Sequence, residues 1–396
     1  MTNSVSDPIV IVGLARTPMG AFQGAFSTVA APHLGAAAIK AAMAEAGVSA
    51  DKVDQAFMGC VLPAGQGQAP ARQAAIHAGL GDHCQATTVN KICGSGMQAV
   101  ILAHDTLKAG SADVVVAGGM ENMTAAPYLM PAARGGARMG EAKMIDSMMF
   151  DGLTDAYAGT SMGVFADMIA AEYQFTREQQ DAYAIESVRR AQAAQAAGDF
   201  DRELTPVTVP NRKGDIVVIE DEGPKNARPE KIPNLRAAFT KDGTVTAANA
   251  SSINDGAAAM VLMRRSDADA GGHTVLATIA SHAAHAHAPE YFTTAPVNAM
   301  KKALAKAGWS AGDVDLWEIN EAFAVVPMIA MQELGLDHAK VNVNGGACVL
   351  GHPIGASGAR IIATLIAAME KRGAKTGLAS LCIGGGEATA ICLQRA

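Results

Sequence analysis

The stretch Ala42-Met43-Ala44-Glu45-Ala46-Gly47-Val48-Ser49-Ala50-Asp51-Lys52-Val53-Asp54 returns 261 residues later, without a gap, as Ala303-Leu304-Ala305-Lys306-Ala307-Gly308-Trp309-Ser310-Ala311-Gly312-Asp313-Val314-Asp315. Eight of the thirteen positions are identical, more than an alanine-rich chain yields by chance, so the chain contains two related halves. In the first copy Ile39, Ala42, Met43 and Ala46 recur at helical spacing, and Gly47 falls where a C-terminal cap belongs. Each copy reads as a helix closed by glycine.

A second correspondence extends the repeat. Ser95-Gly96 opens an apolar helical stretch from Met97 to Leu107, and Ser357-Gly358 opens another from Arg360 to Met369. Both reach a strand: Asp113 to Ala117, followed by Gly118-Gly119, and Leu378 to Ile383, followed by Gly384-Gly385-Gly386. Ile361, Ile362, Leu365, Ile366 and Met369 leave the later helix little polar surface, as expected of a helix between sheets. The pattern predicts a layered α/β fold of two βαβ-rich halves, each with a mainly parallel sheet and with buried helices shared between them. Residues 120–249 lose the repeat and gain Pro, Gly and charge, which marks an insertion with a helix at Asp181 to Ala197 and a strand at Ile216 to Ile219. Ile253 to Met263 is apolar enough to return to the first sheet. The expected organisation is a first half over 1–119, rejoined by about 250–270, an inserted region over 120–249, and a second half over 271–396.

The composition excludes several classes. The 396 residues are 49% hydrophobic and 17% charged, which describes a chain with large cores or subunit contacts and not a disordered one. A formal charge of −7 and the lack of a dense Lys/Arg run argue against nucleic acid as a partner. No apolar stretch reaches the ~20 residues of a spanning helix, and the polar start from Met1 to Asp7 lacks a signal-peptide pattern, so a soluble cytoplasmic enzyme is expected. Six cysteines in a chain this long are too sparse for a disulfide framework.

Cys93 lies in VNKICGSGMQAV, between a probable strand and a glycine-rich helix start, where the helix dipole and free backbone N–H groups favour a thiolate nucleophile. A small core cysteine is the competing reading. The same setting suits a phosphate, but no GxGxxG or GxxxxGK[ST] follows a strand. His352, in NVNGGACVLGHPIGASGAR, occupies a loop that five glycines keep irregular, and it is placed to act as a base or hydrogen-bond donor. By the repeat, this loop and that of Cys93 are equivalent and could meet across a pseudo-dyad. Cys382 ends a strand before three glycines whose N–H groups could hold an anion, and Asn320-Glu321 offers an amide and a carboxylate at another strand end. His282, His285 and His287 have no adjacent carboxylate or cysteine motif, so a loop and no metal site are expected there. Cys60, Cys84, Cys348 and Cys392 read as packing residues. The methionines at 120–130 and 144–149 suit core filling or an adaptable pocket.

Four motifs in this order, VNKICGSGMQA (89–99), NEAFA (320–324), NVNGGACVLGHPIGASGAR (342–360) and CIGGG (382–386), resemble those of the thiolase family. The similarity extends from ARTPMGAFQG (15–24) through GTVTAANASSINDGAAA (243–259), and is greater to the biosynthetic branch than to the long-chain degradative one. The resemblance implies a five-layered α-β-α-β-α fold with a loop domain over the active site. It also implies condensation of two acetyl-CoA to acetoacetyl-CoA and CoA, or the reverse, by a ping-pong acyl-cysteine route. Cys93 would be the nucleophile, His352 its activator, and Cys382 the group that moves the proton on the second substrate. Asn320, through a water, and His352 would form one oxyanion hole, and the N–H groups of Cys93 and Gly384 the other. Ser251 would contact the pantetheine arm, with Ala250, Phe323 and Met162 in the pocket and Lys225 beside the adenine. CoA thioesters enter as substrates, with no permanently bound cofactor, and a homodimer or homotetramer is implied. Two departures stand out. Ser161-Met162-Gly163 replaces the usual His-Met-Gly, leaving room for a longer or branched acyl group or merely for a water, and Glu387 replaces a neutral residue.

Three rivals remain. A decarboxylating ketoacyl synthase relative would share the fold but would not need the second cysteine. A non-catalytic acyl-CoA-binding relative would not need the intact polar set. A nicotinamide dehydrogenase rests on βαβ composition alone.

Overall fold

The structure is a computed structural model that describes residues 7–395. Residues 1–6, read above as a polar start without a signal pattern, lie outside the described residues. The first half comprises β1 (Ile9–Arg16), α1 (Ala31–Ala46), β2 (Gln55–Gly59), α2 (Pro70–His77), β3 (Gln85–Val89), α3 (Ser95–Lys108) and β4 (Val114–Asn122). The inserted region carries α4 (Met162–Glu172) and α5 (Arg177–Ala196), and β5 (Asn254–Arg264) returns to the first half. The second half comprises β6 (Ala277–Ala286), α6 (Ala295–Ala307), β7 (Leu316–Ile319), α7 (Val325–Leu334), α8 (Ser357–Arg372), β8 (Thr376–Ile383) and β9 (Glu387–Gln394).

The repeat is visible in the topology. Strands of one continuous sheet run in the order β7-β8-β9-β6-β1-β5-β4-β2-β3, so β2-β4-β5-β1 and β7-β8-β9-β6 are the same arrangement twice. A short antiparallel contact, Val10 to Thr278 and Ile11 to Ala277, joins the halves. The repeated helices α1 and α6 end as expected, at Gly47 (φ 62°) and Gly308 (φ 72°), in the left-handed conformation that glycine adopts without a steric penalty. The mainly parallel sheets expected from sequence are not found. Among the strands of the described residues, β2 with β3, β2 with β4 and β7 with β8 pair in parallel, while β5 and β9 return antiparallel and make each half mixed.

Alternation along the strands builds the layers. On β5, Ala257, Ala259, Val261 and Met263 pack with Leu34 and Ile39 of α1, whereas Ala258, Met260 and Leu262 face the other way, into the core that contains Met97, Val100, Ile362 and Ile366. Helices α3 and α8 contact each other and strands of both halves, and α6 covers the outer face of β6, β8 and β9. The result is five layers, helix-sheet-helix-sheet-helix. The central helices touch at their first turns because a Cβ on Gly96 would lie 2.8 Å from the Ala359 nitrogen, and one on Gly358 2.3 Å from the Met97 nitrogen. Any larger residue would push them apart.

Strand β4 runs through Gly118-Gly119 to Asn122 instead of stopping at them. Those glycines let β5 and the His352 loop approach: a Cβ on either would sit 2.0 Å from the Ala258 or Gly355 carbonyl oxygen. The inserted region is tied to β1 by Arg16, which is fully buried between Glu203 (2.8 Å) and Asp221 (2.7 Å). The segment around His282, His285 and His287 is not a loop, since His282 and His285 lie within β6. Its pairing with β9 accounts for the regular structure.

Candidate active site

Cys93 stands at the start of α3 on a constrained turn. The residue before it, Ile92, has φ +44°, a conformation that a β-branched side chain rarely adopts. Local hydrogen bonds maintain it: Ser95 Oγ accepts from the Lys91 N–H (2.8 Å) and donates to the Ile92 carbonyl (2.7 Å), and Asn90 Oδ1 accepts from the Ile92 N–H (3.0 Å). The turn packs closely on the end of β8, because a Cβ on Gly94 would lie 2.3 Å from Ile383 Cδ1.

The sulfur is not the resting thiolate that the helix terminus led us to expect. Burial pushes its pKa up to about 11 and the charge of Glu121 adds to this, although the backbone N–H groups of Gly384 and Cys93 itself act to lower it. Desolvation wins over the local dipoles, so the thiol needs a base. His352 is suited to that role. It is buried, and burial with the nearby Arg360 charge holds its pKa down to about 3, leaving a neutral imidazole. Ser357 Oγ donates its only proton to the Pro353 carbonyl (2.9 Å) and therefore accepts from His352 Nδ1–H (2.6 Å). This fixes the tautomer and leaves Nε2 with its lone pair free, and that atom has no hydrogen-bond partner among the described residues.

Cys93, His352 and Gly384 line one cavity of about 580 Å³, together with Ser251, Ala250, Phe323 and Met162. Ser161 lines it too, as do Met123 and Met149 from the methionine-rich segments. Met130 and Met144, from the same segments, are exposed instead. Asn320 is buried beside the site: Arg360 Nη2 donates to its Oδ1 (3.4 Å), and its Nδ2 lies 3.4 Å from His352 Nδ1, too far to compete with the 2.6 Å contact to Ser357 for that atom. Cys382 is fully buried and lies outside the cavity lining, near enough to Cys93 that its pKa is raised well above the ordinary thiol range, first by burial and then by that neighbour. Lys225 is exposed and does not line the cavity.

Further residues support the site, and Glu121 and Glu318 among them carry no signal in sequence. Glu121, buried between the halves, accepts from the N–H groups of Val61 (2.9 Å), Leu62 (3.2 Å) and Gly355 (2.9 Å), and burial raises its pKa to about 7. Glu318 pairs with Arg360 (3.1 Å) beneath Asn320. The Glu321 carboxylate turns away from the cavity, accepting from Tyr183 (2.9 Å), Ser187 (2.8 Å), Asn342 (2.9 Å) and the Cys348 N–H (3.0 Å). It joins α5 to the second half and is unavailable to a ligand. Glu387, unexplained by sequence, pairs with Lys91 of the turn that carries Cys93.

A duplicated five-layer fold with a cysteine, a neutral histidine and two backbone donors at one cavity defines an acyl-transfer enzyme. Residues 9–266 match the thiolase N-terminal domain and residues 273–395 the thiolase C-terminal domain, so the chain belongs to the thiolase family. It is 51% identical to an acetyl-CoA acetyltransferase of Cupriavidus necator over 98% of this chain and 99% of that one. The corresponding proteins of Pseudomonas aeruginosa and Saccharomyces pastorianus are 51% and 48% identical, covering 98% and 99% of this chain and 99% and 100% of theirs.

Proposed function

We propose that the chain is an acetyl-CoA C-acetyltransferase that joins two acetyl-CoA into acetoacetyl-CoA and CoA, and catalyses the reverse thiolysis. The observation that carries this reading is the unpartnered Nε2 of a neutral His352 in the same cavity as the Cys93 thiol. His352 Nε2 takes the Cys93 proton as the sulfur attacks the thioester carbonyl. The Cys93 and Gly384 N–H groups receive the developing negative charge, each such donor being worth about 3 kcal/mol. As the CoA sulfur leaves, Cys382, protonated at rest, gives it a proton. The thiolate so formed then removes a proton from the Cα of the second acetyl-CoA, while Asn320, through a water, and His352 hold the enolate oxygen. The enolate attacks the acyl carbon, and Cys93 leaves and recovers its proton from His352. Every proton is returned and the kinetics are ping-pong.

Ser251, Ala250, Phe323 and Met162 seat the pantetheine and acyl portions, the inserted region covers them, and Lys225 sits toward the adenine. Because serine occupies position 161, acyl chains somewhat longer than acetyl, or branched, are accepted as well. The protein works as a homodimer or homotetramer in the cytoplasm, and no described helix is long and apolar enough to cross a membrane. The test is the loss of acetoacetyl-CoA absorbance on adding CoA: turnover that stops in Cys93→Ala supports the reading. Release of carbon dioxide from a malonyl thioester would instead indicate a decarboxylating synthase.

A further inference from the structure

The helix that begins just after Cys93 ends in a second cluster of polar side chains, unrelated to the cavity. His104 and Asp105 lie on the last turns of α3, about 16 Å along the axis from Cys93 at 1.5 Å per residue. Facing them is His282 of β6. Strand β6 pairs with β1 only as far as Thr278, so beyond that residue one edge is open and α3 lies beside it. The opening is a shallow pocket of about 380 Å³ lined by His104, His282, Lys108 and Lys306 among others.

Three ligand atoms converge there. His104 Nδ1 lies 2.9 Å from Asp105 Oδ1, His282 Nε2 lies 3.0 Å from the same oxygen, and the two nitrogens are 3.1 Å apart. The imidazole rings are edge-to-face, with centroids 4.7 Å apart. Protons cannot satisfy all three contacts. If each nitrogen donates to the carboxylate, two N–H groups oppose each other across 3.1 Å. If one nitrogen donates to the other, one nitrogen–oxygen contact loses its proton. A cation satisfies all three at once. For atoms about 3.0 Å apart, a centre at the ~2.0–2.1 Å bond length of zinc to imidazole nitrogen or carboxylate oxygen sits about 1 Å above their plane. Opening the triangle by a few tenths of an ångström then gives tetrahedral spacing. Asp105 is the most exposed of the three, and its side leaves a fourth position for water.

We propose that His104, Asp105 and His282 form a binding site for a divalent transition-metal ion of the zinc, cobalt or nickel type. Two imidazoles and one carboxylate select these ions over magnesium and calcium, which prefer oxygen ligands. The lysines at the pocket oppose a cation and keep the affinity modest, but both are engaged elsewhere: Lys306 donates to the His282 carbonyl (3.0 Å), and Lys108 to the Asp7 carbonyl. Spacing along the chain does not reveal the site, because His285 and His287 beside His282 are not its ligands and two of the three come from a helix 177 residues and more away. A bound ion would clamp the far end of the nucleophile's helix to the second half.

The test is titration of the full-length chain with Co²⁺, followed by its visible absorption and by displacement with Zn²⁺. The Cys93→Ala, Cys382→Ser double variant serves as background, so that active-site thiols contribute nothing. One ion per chain, a thermal midpoint raised by Zn²⁺, and at least tenfold weaker binding in both His282→Asn and His104→Gln would support the proposal. The two variants are read independently, so either one alone decides if the other does not fold. With the cysteines intact, metal-free His104→Gln should keep normal thiolysis. No saturable binding, or binding unchanged by either substitution, would overturn it.

Discussion

The Lys91 ammonium pairs with the Glu387 carboxylate, joining the turn that presents Cys93 to the strand that follows Gly384. These two segments supply the two backbone donors aimed at the same sulfur, so the pair spans the proposed oxyanion hole from outside. Both side chains are partly solvent-exposed, which limits such a pair to about 1 kcal/mol or less. Glu387→Gln should therefore lower kcat by no more than about fivefold, and Lys91→Met by a similar factor. The double variant should lose less than the product of the two, and only the wild type should slow as salt is raised. Strictly multiplicative losses would mean the pair does not act as a unit.

The pH response of Cys93 separates a desolvated thiol from a dipole-stabilised thiolate. With its pKa pushed up to about 11, alkylation of the free enzyme by iodoacetamide should rise about tenfold per pH unit from about pH 6 to about pH 9, since the thiolate is the reactive form. A plateau near neutral pH would show that the helix terminus outweighs burial after all.

Ser357 holds His352 in the tautomer that leaves Nε2 free. Ser357→Ala removes the acceptor for Nδ1–H and should cost about fivefold in kcat, in line with a hydrogen bond worth roughly 1 kcal/mol. Ser357→Thr should recover most of it. Unchanged thiolysis in Ser357→Ala would show that the tautomer is set by other groups.

Glu121 links acid–base chemistry to stability. Its folded pKa of about 7 lies above the ordinary 4.5, so between those values the folded state holds a proton that the unfolded state has lost. Its contribution is complete below about pH 4.5 and fades as pH rises to about 7. Thermal midpoints of Glu121→Gln should be lower at every pH, because an amide N–H₂ meets backbone N–H groups, but they should lack this downward slope. An identical slope in both proteins would assign the effect to another group.

The chemistry-bearing loops were legible in the sequence, as were the glycine-closed helices, because glycine runs and the internal repeat are local or self-similar signals. What escaped depended on contacts between distant segments. The antiparallel return of β5 and β9 is set by which strands become neighbours, which apolar content does not reveal. The position of Cys93 before a helix start is visible in the sequence, but the desolvation that overrides the helix dipole is not, because it belongs to the assembled fold. Glu121, Ser357 and Arg360 hold the site through bonds to atoms remote in the chain or through a single hydroxyl proton, and no spacing rule points to them.

The acyl pocket offers a direct test of the serine at position 161. Ser161→His would place an imidazole against the cavity that Met162 and Phe323 also line. Activity with a four- or five-carbon 3-ketoacyl-CoA bearing a methyl branch should fall about tenfold or more relative to acetoacetyl-CoA, the scale expected when a pocket loses room for one or two carbons. Equal losses on both substrates would show that Ser161 does not set chain preference.

Two cysteines with divided roles are the centre of the account. Intact-mass measurement after brief exposure to acetyl-CoA tests it most directly, with the wild type, Cys93→Ala and Cys382→Ser compared side by side. The account predicts one acetyl group on the wild type and on Cys382→Ser, none on Cys93→Ala, and acetoacetyl-CoA from the wild type alone. An acetyl group retained by Cys93→Ala, or normal condensation by Cys382→Ser, would contradict it.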